Sequence, residues 1–255
     1  MMLNPMDLSG KTIVLTGAGG GIGRATATQL SKLGAKLVLL DVFPDKLEET
    51  AKQLQSDCDH TTYVINLCDI DSIEGIIKTV CEENGLIHGF VHCAGIAPMR
   101  PFKMTKYDNI LPTMQINFFS FVEIVRCITQ KKRFAKGGSI VAMSSTGSIH
   151  GKPSKTAYSA SKAAMDAAIR CMICDLQKQK IRINSVMPSW VNTDMYSSFL
   201  ADYPDSRDIK EIEERQYMGV SEPYEVANVI AFLLSDATKT ITGTSILMDG
   251  GILQG

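Results

Sequence analysis

Two residues four positions apart, Tyr158 and Lys162, have the types and spacing of a general acid/base pair. Alanines at 160, 163 and 164 predict a helix here, on which side chains four residues apart are neighbours. A free tyrosine has a pKa of about 10, so its ionisation at neutral pH needs roughly 4 kcal/mol of differential stabilisation. An ammonium group at about 4 Å supplies an energy of that size at an effective dielectric of about 20. The pair therefore predicts an activated phenol, although one such spacing also arises readily by chance.

Two polar residues that precede this pair add weight to the hypothesis. Ser145 follows the apolar run 139–143 and lies thirteen residues before Tyr158, and Asn117 lies in the segment Met-Gln-Ile-Asn. We therefore treat Asn117, Ser145, Tyr158 and Lys162 as one candidate catalytic set.

Near the N-terminus, a glycine-rich loop with Gly17, Gly21 and Gly23 joins an apolar run at 11–15 to a helical pattern that begins near Ile22. The first turn of a helix offers unpaired backbone N–H groups, and glycines let a phosphate approach them closely. The loop predicts a site for the pyrophosphate of a dinucleotide. By itself the loop is weak evidence, the alternative being an ordinary tight turn between a strand and a helix.

Two acids follow the next predicted strands. Asp41 ends the second strand, 24 residues after Gly17, where a carboxylate accepts hydrogen bonds from adenosine ribose hydroxyls and repels a 2′-phosphate. It therefore favours NAD over NADP, the alternative being a solvated acid at a strand end. Asp69 follows the third strand and is a candidate contact for the adenine ring, with the same alternative.

The composition limits the class of protein. With 255 residues, 45% hydrophobic and 21% charged, the chain fits a single domain spanning 1–255. A net charge of −1 gives no general attraction to nucleic acid or anionic membranes, so a small-molecule partner is expected. The sequence contains no long apolar run, which favours a cytoplasmic protein.

Seven scattered cysteines are expected to be reduced thiols, and no metal site is predicted. Cys171 and Cys174 have the spacing of a metal or redox pair, but they lie in a helical pattern without a second pair. We expect both to pack in the core. The four histidines, at 60, 88, 92 and 150, lack the spacing of a shared metal site.

Short β-branched runs alternate with longer segments of helical period. This order predicts an α/β fold, a single-domain, Rossmann-like, doubly wound parallel sheet of about seven strands with helices on both faces. Ligands should bind beyond the carboxyl ends of the strands. The predicted strands are Thr12–Leu15, Lys36–Leu40, Thr62–Ile65, Gly89–His92, Ser139–Ala142, Arg182–Val186 and Ser245–Met248.

The segment 192–220 interrupts this alternation and is too long for a plain connection. We interpret it as a lid over the substrate within the single domain, the alternative being a solvated helical insertion. Arg100 is either a ligand for an acidic group or a solvated side chain, and His150 is either a donor in the pocket or a loop residue. The predicted substrate pocket comprises Met99, Arg100, His150, Trp190, Met195, Tyr196 and Phe199, a mainly apolar set that suits an alicyclic alcohol or ketone.

Together these features resemble the classical short-chain dehydrogenase/reductase family. The resemblance runs from Asp7 to Gly251 and includes the glycine loop, Asp41, Asp69, the segment Cys93 to Gly95, the four candidate catalytic residues, the segment 188–193 and the segment 249–251. The chain departs from the family at His92 and Cys93, where two asparagines are common, and at Ser189, where a glycine usually stands.

The resemblance implies a role for each matching residue. Tyr158 is the acid/base, Ser145 binds the substrate oxygen, Lys162 lowers the tyrosine pKa and binds the nicotinamide ribose, and Asn117 positions a water. The family also implies a homotetramer. The cofactor contacts it implies are Gly17, Gly21, Ile22, Gly23, Asp41, Asp69, Ala94, Gly95, Tyr158, Lys162, Pro188, Val191 and Thr193.

The leading hypothesis is an NAD-dependent, metal-free enzyme that interconverts a secondary alcohol and a ketone, with a substrate of hydroxysteroid-like character. One alternative is a 3-oxoacyl-carrier-protein reductase that uses NADPH, a preference with which Asp41 conflicts. Another is a binding protein that senses NAD without catalysis, against which the complete catalytic set argues.

Overall fold

In the computed structural model, which describes residues 4–55, 59–203, 209 and 214–253, seven strands form a single parallel sheet. The doubly wound α/β fold expected from the alternating pattern is confirmed. The strands are β1 (Thr12–Thr16), β2 (Lys36–Asp41), β3 (Thr61–Val64), β4 (Ile87–His92), β5 (Phe134–Met143), β6 (Arg182–Pro188) and β7 (Ser245–Met248).

The strand order is β3-β2-β1-β4-β5-β6-β7, so the direction of winding reverses between β1 and β4. The carboxyl ends of these two strands therefore border the crevice where ligands of open α/β sheets bind. The helices of the described residues are α1 (Gly21–Lys32), α2 (Pro44–Ala51), α3 (Ile70–Asn84), α4 (Tyr107–Met114), α5 (Ser120–Ile128), α6 (Thr156–Leu176), α7 (Asp194–Asp202) and α8 (Pro223–Leu234).

The core consists of two apolar layers, one on each face of the sheet. Val14, Phe90 and Ile140 pack on the side of α3, α5 and α6. Their neighbours along the strands pack on the side of α1 and α8, because successive side chains of a strand point to opposite faces. A sheet covered on both faces explains why its central strands are apolar throughout.

β5 begins at Phe134, five residues earlier than the sequence pattern predicts. Its first part contains Gly137, whose φ is +81°, and the pairing register with β4 shifts between Ile87 and Gly89. Because of this irregular start, Phe134 is separated from the regular apolar run. The sequence pattern therefore did not include it in the predicted strand.

A π-helical turn, Gln115–Phe119, joins α4 to α5 and contains Asn117. Such a turn adds one residue to the helical repeat and occurs often at functional sites. Here it turns the Asn117 side chain into the interior, where no part of it is exposed.

The structure corrects the expectation that Cys171 and Cys174 pack in the core, because both are exposed on α6. The buried stripe of this helix includes Ser161, Met165 and Ile169, and the two cysteines lie off that stripe. Where the structure is described, the helices are too short or too polar to span a bilayer.

Part of the predicted lid is described. It begins with α7, and an isolated parallel bridge pairs Val191 with Ser221. Residues 204–208 and 210–213 of the predicted 192–220 lid lie outside the described residues.

Candidate active site

The glycine loop between β1 and α1 has no room for side chains at the predicted positions. Gly17 has φ +69°, and a Cβ there would lie 2.6 Å from the backbone nitrogen of Ala94. A Cβ on Gly23 would overlap the carbonyl oxygen of Gly17. Gly20 precedes α1 without a side-chain cap, so the N–H groups of the first turn face the loop. The result is a cradle with the properties of a phosphate site.

Asp41 lies at the edge of this cradle. Its Oδ2 accepts a 2.9 Å hydrogen bond from the backbone N–H of Gly19, and its Oδ1 accepts one of 3.1 Å from Phe43. The end of β2 therefore places a carboxylate directly against the glycine loop.

The segment that follows β6 closes the other side of the cradle. A Cβ on Gly21 would lie 2.8 Å from Cγ2 of Thr193, so these two residues are in close contact. Ser189, one of the departures from the family pattern, donates its backbone N–H to Met248 at 3.0 Å. This bond extends the pairing of β6 with β7 past Pro188.

Asn117 ties three parts of the site together. Its Oδ1 accepts from the N–H of Ile96 at 2.9 Å, and its Nδ2 donates to the carbonyl of Ile96 at 3.0 Å and to Ser161 Oγ at 2.9 Å. These bonds fix the loop after β4 to the helix that carries the candidate catalytic residues. A Cβ on Gly95 would lie 3.4 Å from both Asn117 Oδ1 and Lys162 Nζ, at van der Waals contact, so Gly95 borders both side chains.

Lys162 is buried, with 3% of its surface exposed. Its Nζ donates a 2.6 Å hydrogen bond to the carbonyl oxygen of Met143, the last residue of β5. Burial lowers the pKa of Lys162 to about 8, since the charged form loses its hydration. Cys93 and, to a smaller extent, Asp166 act in the opposite direction and raise this pKa.

Tyr158 lies one turn before Lys162 on α6, as predicted. Burial raises the pKa of Tyr158, and a hydrogen bond with Ser145 opposes that rise. Lys162 Nζ lies 5.8 Å from the centre of the tyrosine ring. In this structure the pKa of Tyr158 is raised, because burial is the largest influence on the phenol. The lowering of this pKa by Lys162 that the family resemblance implies stays a prediction.

Ser145 lies at the carboxyl end of β5 and is almost completely buried. Its Oγ accepts the N–H of Gly147 at 3.1 Å and so begins the turn Thr146–Ser148. A Cβ on Gly147 would lie 3.3 Å from Cε1 of Tyr158, which places this turn against the tyrosine ring. The turn thus holds Ser145 and Tyr158 beside each other.

A cavity of about 520 Å³ adjoins these residues. Ser145, Tyr158 and Lys162 line it, and so do cofactor candidates, which are Ile22, Gly95, Pro188, Val191 and Thr193. Five of the seven predicted substrate residues are also on its wall, namely Met99, Trp190, Met195, Tyr196 and Phe199. The rings of Trp190 and Phe199 have centroids 4.5 Å apart, so part of the cavity wall is aromatic.

Arg100 and His150 do not line this cavity, which corrects their placement in the substrate pocket. The backbone N–H of Arg100 is bound to the Ser154 carbonyl, and the residue lines a second cavity of about 260 Å³. His150 donates its backbone N–H to Thr146 within the turn after β5, and it lines neither of these two cavities. Asp69 is exposed at the start of α3.

Two lysines that the sequence reasoning missed line the larger cavity, Lys152 and Lys155. Lys152 Nζ lies 5.7 Å from the ring centre of Trp190, and Lys155 Nζ donates to the carbonyl of Ala97 at 2.8 Å. Both lysines lie just before α6 and close to Tyr158 in sequence. This proximity was the signal by which they could have been predicted to line the cavity.

His92, the last residue of β4, and Cys93, which follows it, depart from the family pattern and are both neutral at physiological pH. His92 Nδ1 lies 2.9 Å from Thr16 Oγ1, which links β4 to β1, and burial lowers the pKa of His92 to about 3. Burial raises the pKa of the Cys93 thiol to about 12. The end of the central sheet thus carries a neutral imidazole and a protonated thiol where asparagines are common.

Known proteins resemble this chain over nearly its whole length. A family model described as enoyl-(acyl carrier protein) reductase matches residues 17–253. L-xylulose reductase of Caenorhabditis elegans is 32% identical over 247 residues, covering 96% of each chain. The 3-oxoacyl-[acyl-carrier-protein] reductase FabG of Thermotoga maritima is 29% identical and covers 97% of this chain and 100% of its own.

Among solved structures, a short-chain dehydrogenase/reductase described as a glucose/ribitol dehydrogenase from Brucella melitensis has a TM-score of 0.89. It is 30% identical, and the match covers 98% of this chain and 99% of that one. The family model matches nearly the whole chain, and the sheet places the glycine loop beside Ser145, Tyr158 and Lys162. Both observations identify the family. The chain belongs to the classical short-chain dehydrogenase/reductase family of oxidoreductases.

Proposed function

We propose that this protein is an NAD(H)-dependent oxidoreductase that interconverts a secondary alcohol and a ketone, with Tyr158 as the acid/base. The observation that carries the proposal is the shared cavity: Tyr158 and Lys162 line the same space as Ile22 and Thr193, which border the glycine loop. A proton donor and a dinucleotide cradle that open into one cavity suit coupled proton and hydride transfer.

The residues present fit a nicotinamide dinucleotide. Side chains are excluded at Gly17, Gly21 and Gly23, and the open first turn of α1 provides backbone N–H donors for phosphate. Asp41, against the loop, accepts the ribose hydroxyls of NAD and disfavours the 2′-phosphate of NADP. When bound, the cofactor supplies or accepts the hydride. The remaining proposed contacts are Ile22, Asp69, Ala94, Gly95, Tyr158, Lys162, Pro188, Val191 and Thr193.

Tyr158 and the side chains around it transfer the proton. In reduction, Tyr158 donates its phenolic proton to the substrate oxygen while Ser145 donates a hydrogen bond to the same atom. A raised pKa of Tyr158 favours the protonated state that this step requires. In oxidation, the tyrosine accepts the proton from the alcohol, and the nearby ammonium of Lys162 stabilises the resulting phenolate.

Asn117 fixes the frame around this proton path. It binds the Ile96 backbone and Ser161, one residue before Lys162, so its side chain sets the position of the lysine relative to the loop after β4. A water held near Asn117, as the family implies, would connect Lys162 to solvent.

The apolar part of the cavity wall favours an apolar, alicyclic substrate of hydroxysteroid type. Trp190, Phe199 and Met99 supply apolar surface, and α7 contributes Met195 and Tyr196 to the part of the lid that the structure describes. An apolar cavity with a few polar groups at one end orients a ring so that its oxygen meets Ser145 and Tyr158.

The FabG relative from Thermotoga maritima favours a second candidate, reduction of a 3-oxoacyl thioester with NADPH. The position of Asp41 argues against it, because a 2′-phosphate would meet a carboxylate. A cytoplasmic homotetramer remains a prediction from the family resemblance, and sedimentation of the purified protein tests the assembly.

The test is turnover, followed by the absorbance of the reduced nicotinamide. Hydroxysteroids, cyclic alcohols, sugars and acyl-thioester ketones are each offered with NAD and NADP forms to the native protein and to Tyr158→Phe. We expect NAD-dependent turnover of an alicyclic compound that Tyr158→Phe abolishes while still binding NAD. Tight NAD binding with no turnover of any compound would instead favour an NAD-sensing protein.

A further inference from the structure

A buried carboxylate outside the proposed catalytic set lies directly behind it. Asp166, on α6, is one helical turn beyond Lys162 and only 7% exposed. Its Oδ2 accepts a 2.7 Å hydrogen bond from Ser144 Oγ, and its Oδ1 accepts one of 2.8 Å from Ser185 Oγ. Ser245 Oγ lies 2.8 Å from Ser185 Oγ and so extends the cluster to β7.

These bonds join the helix of the catalytic candidates to three strands. Ser144 follows β5, Ser185 lies in β6 and Ser245 begins β7. Burying a carboxylate is costly unless donors replace its hydration, and here serine hydroxyls do so. A neutral side chain at position 166 would avoid that cost. We therefore look for a function of the Asp166 carboxylate in the neighbouring site.

The connection through Ser144 reaches the chemistry directly. Ser144 lies between Met143, whose carbonyl binds Lys162 Nζ, and Ser145, the proposed donor to the substrate oxygen. The Ser144 N–H is also bound to the carbonyl of Val186 at 2.8 Å. The Asp166 carboxylate therefore fixes Ser144. The residue before Ser144 binds Lys162, and the residue after it is the proposed donor to the substrate.

The second connection is electrostatic. Among the described residues, the titratable groups that face Lys162 besides Asp166 are Tyr158 on the same helix, and His92 and Cys93 at the end of β4. His92 and Cys93 are neutral at physiological pH, as described above. Cys93 and Asp166 both favour the ammonium form of Lys162, and Asp166 is the carboxylate of the two.

We propose that Asp166 is a positioning residue for this site, which holds the end of β5 against α6 through Ser144 and keeps Lys162 charged. The inference rests on the proposed function of Tyr158 and Lys162 for its meaning in catalysis. The physical effects on Ser144 and Lys162 can be measured whether or not the substrate is known.

The charge is tested by NMR on protein labelled with ¹³C-lysine. The Cε resonance of Lys162, assigned by its absence in Lys162→Arg, is followed through a pH titration of the native protein, of Asp166→Asn and of Asp175→Asn. Asp175 is exposed near the end of the same helix and serves as the matched control. We expect the midpoint to fall by about one unit in Asp166→Asn and to stay unchanged in Asp175→Asn. An unchanged midpoint in Asp166→Asn would overturn the electrostatic role.

The positioning role is tested with two variants that keep the charge, and this pair decides the question if Asp166→Asn does not fold. Ser144→Ala and Ser185→Ala each remove one hydroxyl from the same carboxylate. We expect kcat to fall about tenfold in Ser144→Ala and to stay within about twofold in Ser185→Ala, at similar thermal stability. Equal kinetic losses would show a purely structural cluster. Because the NMR titration needs no turnover, an inactive native protein would reject the proposed function without deciding the role of Asp166.

Discussion

Lys162 Nζ and the carbonyl oxygen of Met143 are 2.6 Å apart, so the end of β5 holds the buried ammonium on α6. The contact joins the strand that presents Ser145 to the helix that presents Tyr158. Because its acceptor is a backbone atom, any residue at position 143 that preserves the strand preserves the contact.

The burial of Lys162 predicts a pH-dependent stability. Its folded pKa of about 8 is below the ordinary lysine value of 10.5, so between these values the unfolded chain holds a proton that the folded protein has released. Stability therefore rises with pH through this window. We expect the unfolding free energy of the native protein to rise by about 3 kcal/mol relative to Lys162→Met between about pH 7 and pH 10.5.

Urea unfolding of both proteins at several pH values measures this difference, and groups that both proteins share largely cancel in it. Lys178→Met, at an exposed lysine after α6, is the control and should show a constant difference from the native protein. A constant difference for Lys162→Met would mean that Lys162 keeps its ordinary pKa in the folded protein.

Cofactor choice should depend on Asp41. Removing its carboxylate in Asp41→Ala deletes the proposed ribose acceptor and the charge that opposes a 2′-phosphate. We expect the Kd for NAD to rise at least tenfold, which corresponds to about 1.4 kcal/mol or more, while the Kd for NADP falls or stays constant. Calorimetric titration with both cofactors measures the change. Asp45→Ala, at an exposed acid in the first turn of α2, should leave both values unchanged.

The glycine cradle gives a matched pair of alanine variants. In Gly23→Ala the new methyl group would overlap the Gly17 carbonyl, and we expect a loss of about 1–3 kcal/mol of stability together with loss of dinucleotide binding. In Gly75→Ala, in α3, nothing lies within 4 Å of the new methyl group. That variant should gain about 0.5–1 kcal/mol from helix propensity. Thermal unfolding with and without NAD separates the two effects, and similar behaviour of both variants would contradict the cradle.

The cavity wall predicts different effects for two residues of the original substrate set. Trp190→Ala removes aromatic surface from the cavity that Tyr158 also lines, so KM for an alicyclic substrate should rise about tenfold or more. Arg100→Ala changes a residue that lines the smaller cavity and should leave KM nearly unchanged. Steady-state kinetics with one substrate measures both values. A larger effect at Arg100 would return that residue to the substrate site.

The sequence predicted all seven strands because buried parallel strands are short, β-branched and apolar, and such runs are visible without long-range information. It missed the first five residues of β5, since Lys136, Gly137 and Gly138 break the apolar pattern there. The glycine loop and Asp41 could be assigned because their spacing reflects a local strand, turn and helix.

Contacts that depend on tertiary packing were not visible in the sequence. The Met143 carbonyl that binds Lys162 belongs to the backbone and has no residue signature. The π-helical turn around Asn117 has the sequence of an ordinary helix. Met99 and Arg100 are adjacent, yet they line different cavities, because the Ser154 carbonyl fixes the backbone of Arg100. Each of these depends on a residue far away in the chain.

The bridge between Val191 and Ser221 joins the two ends of the predicted lid at one point outside the sheet. The N–H of Asn192 is bound to the carbonyl of Ser221 at 2.9 Å, and the N–H of Ser221 to the carbonyl of Trp190 at 3.1 Å. The described parts of the segment between these residues therefore share a fixed base. A change in α7 would alter the part of the cavity wall formed by Met195 and Tyr196, whereas a change at Thr193 would reach the cofactor cradle through its contact with Gly21.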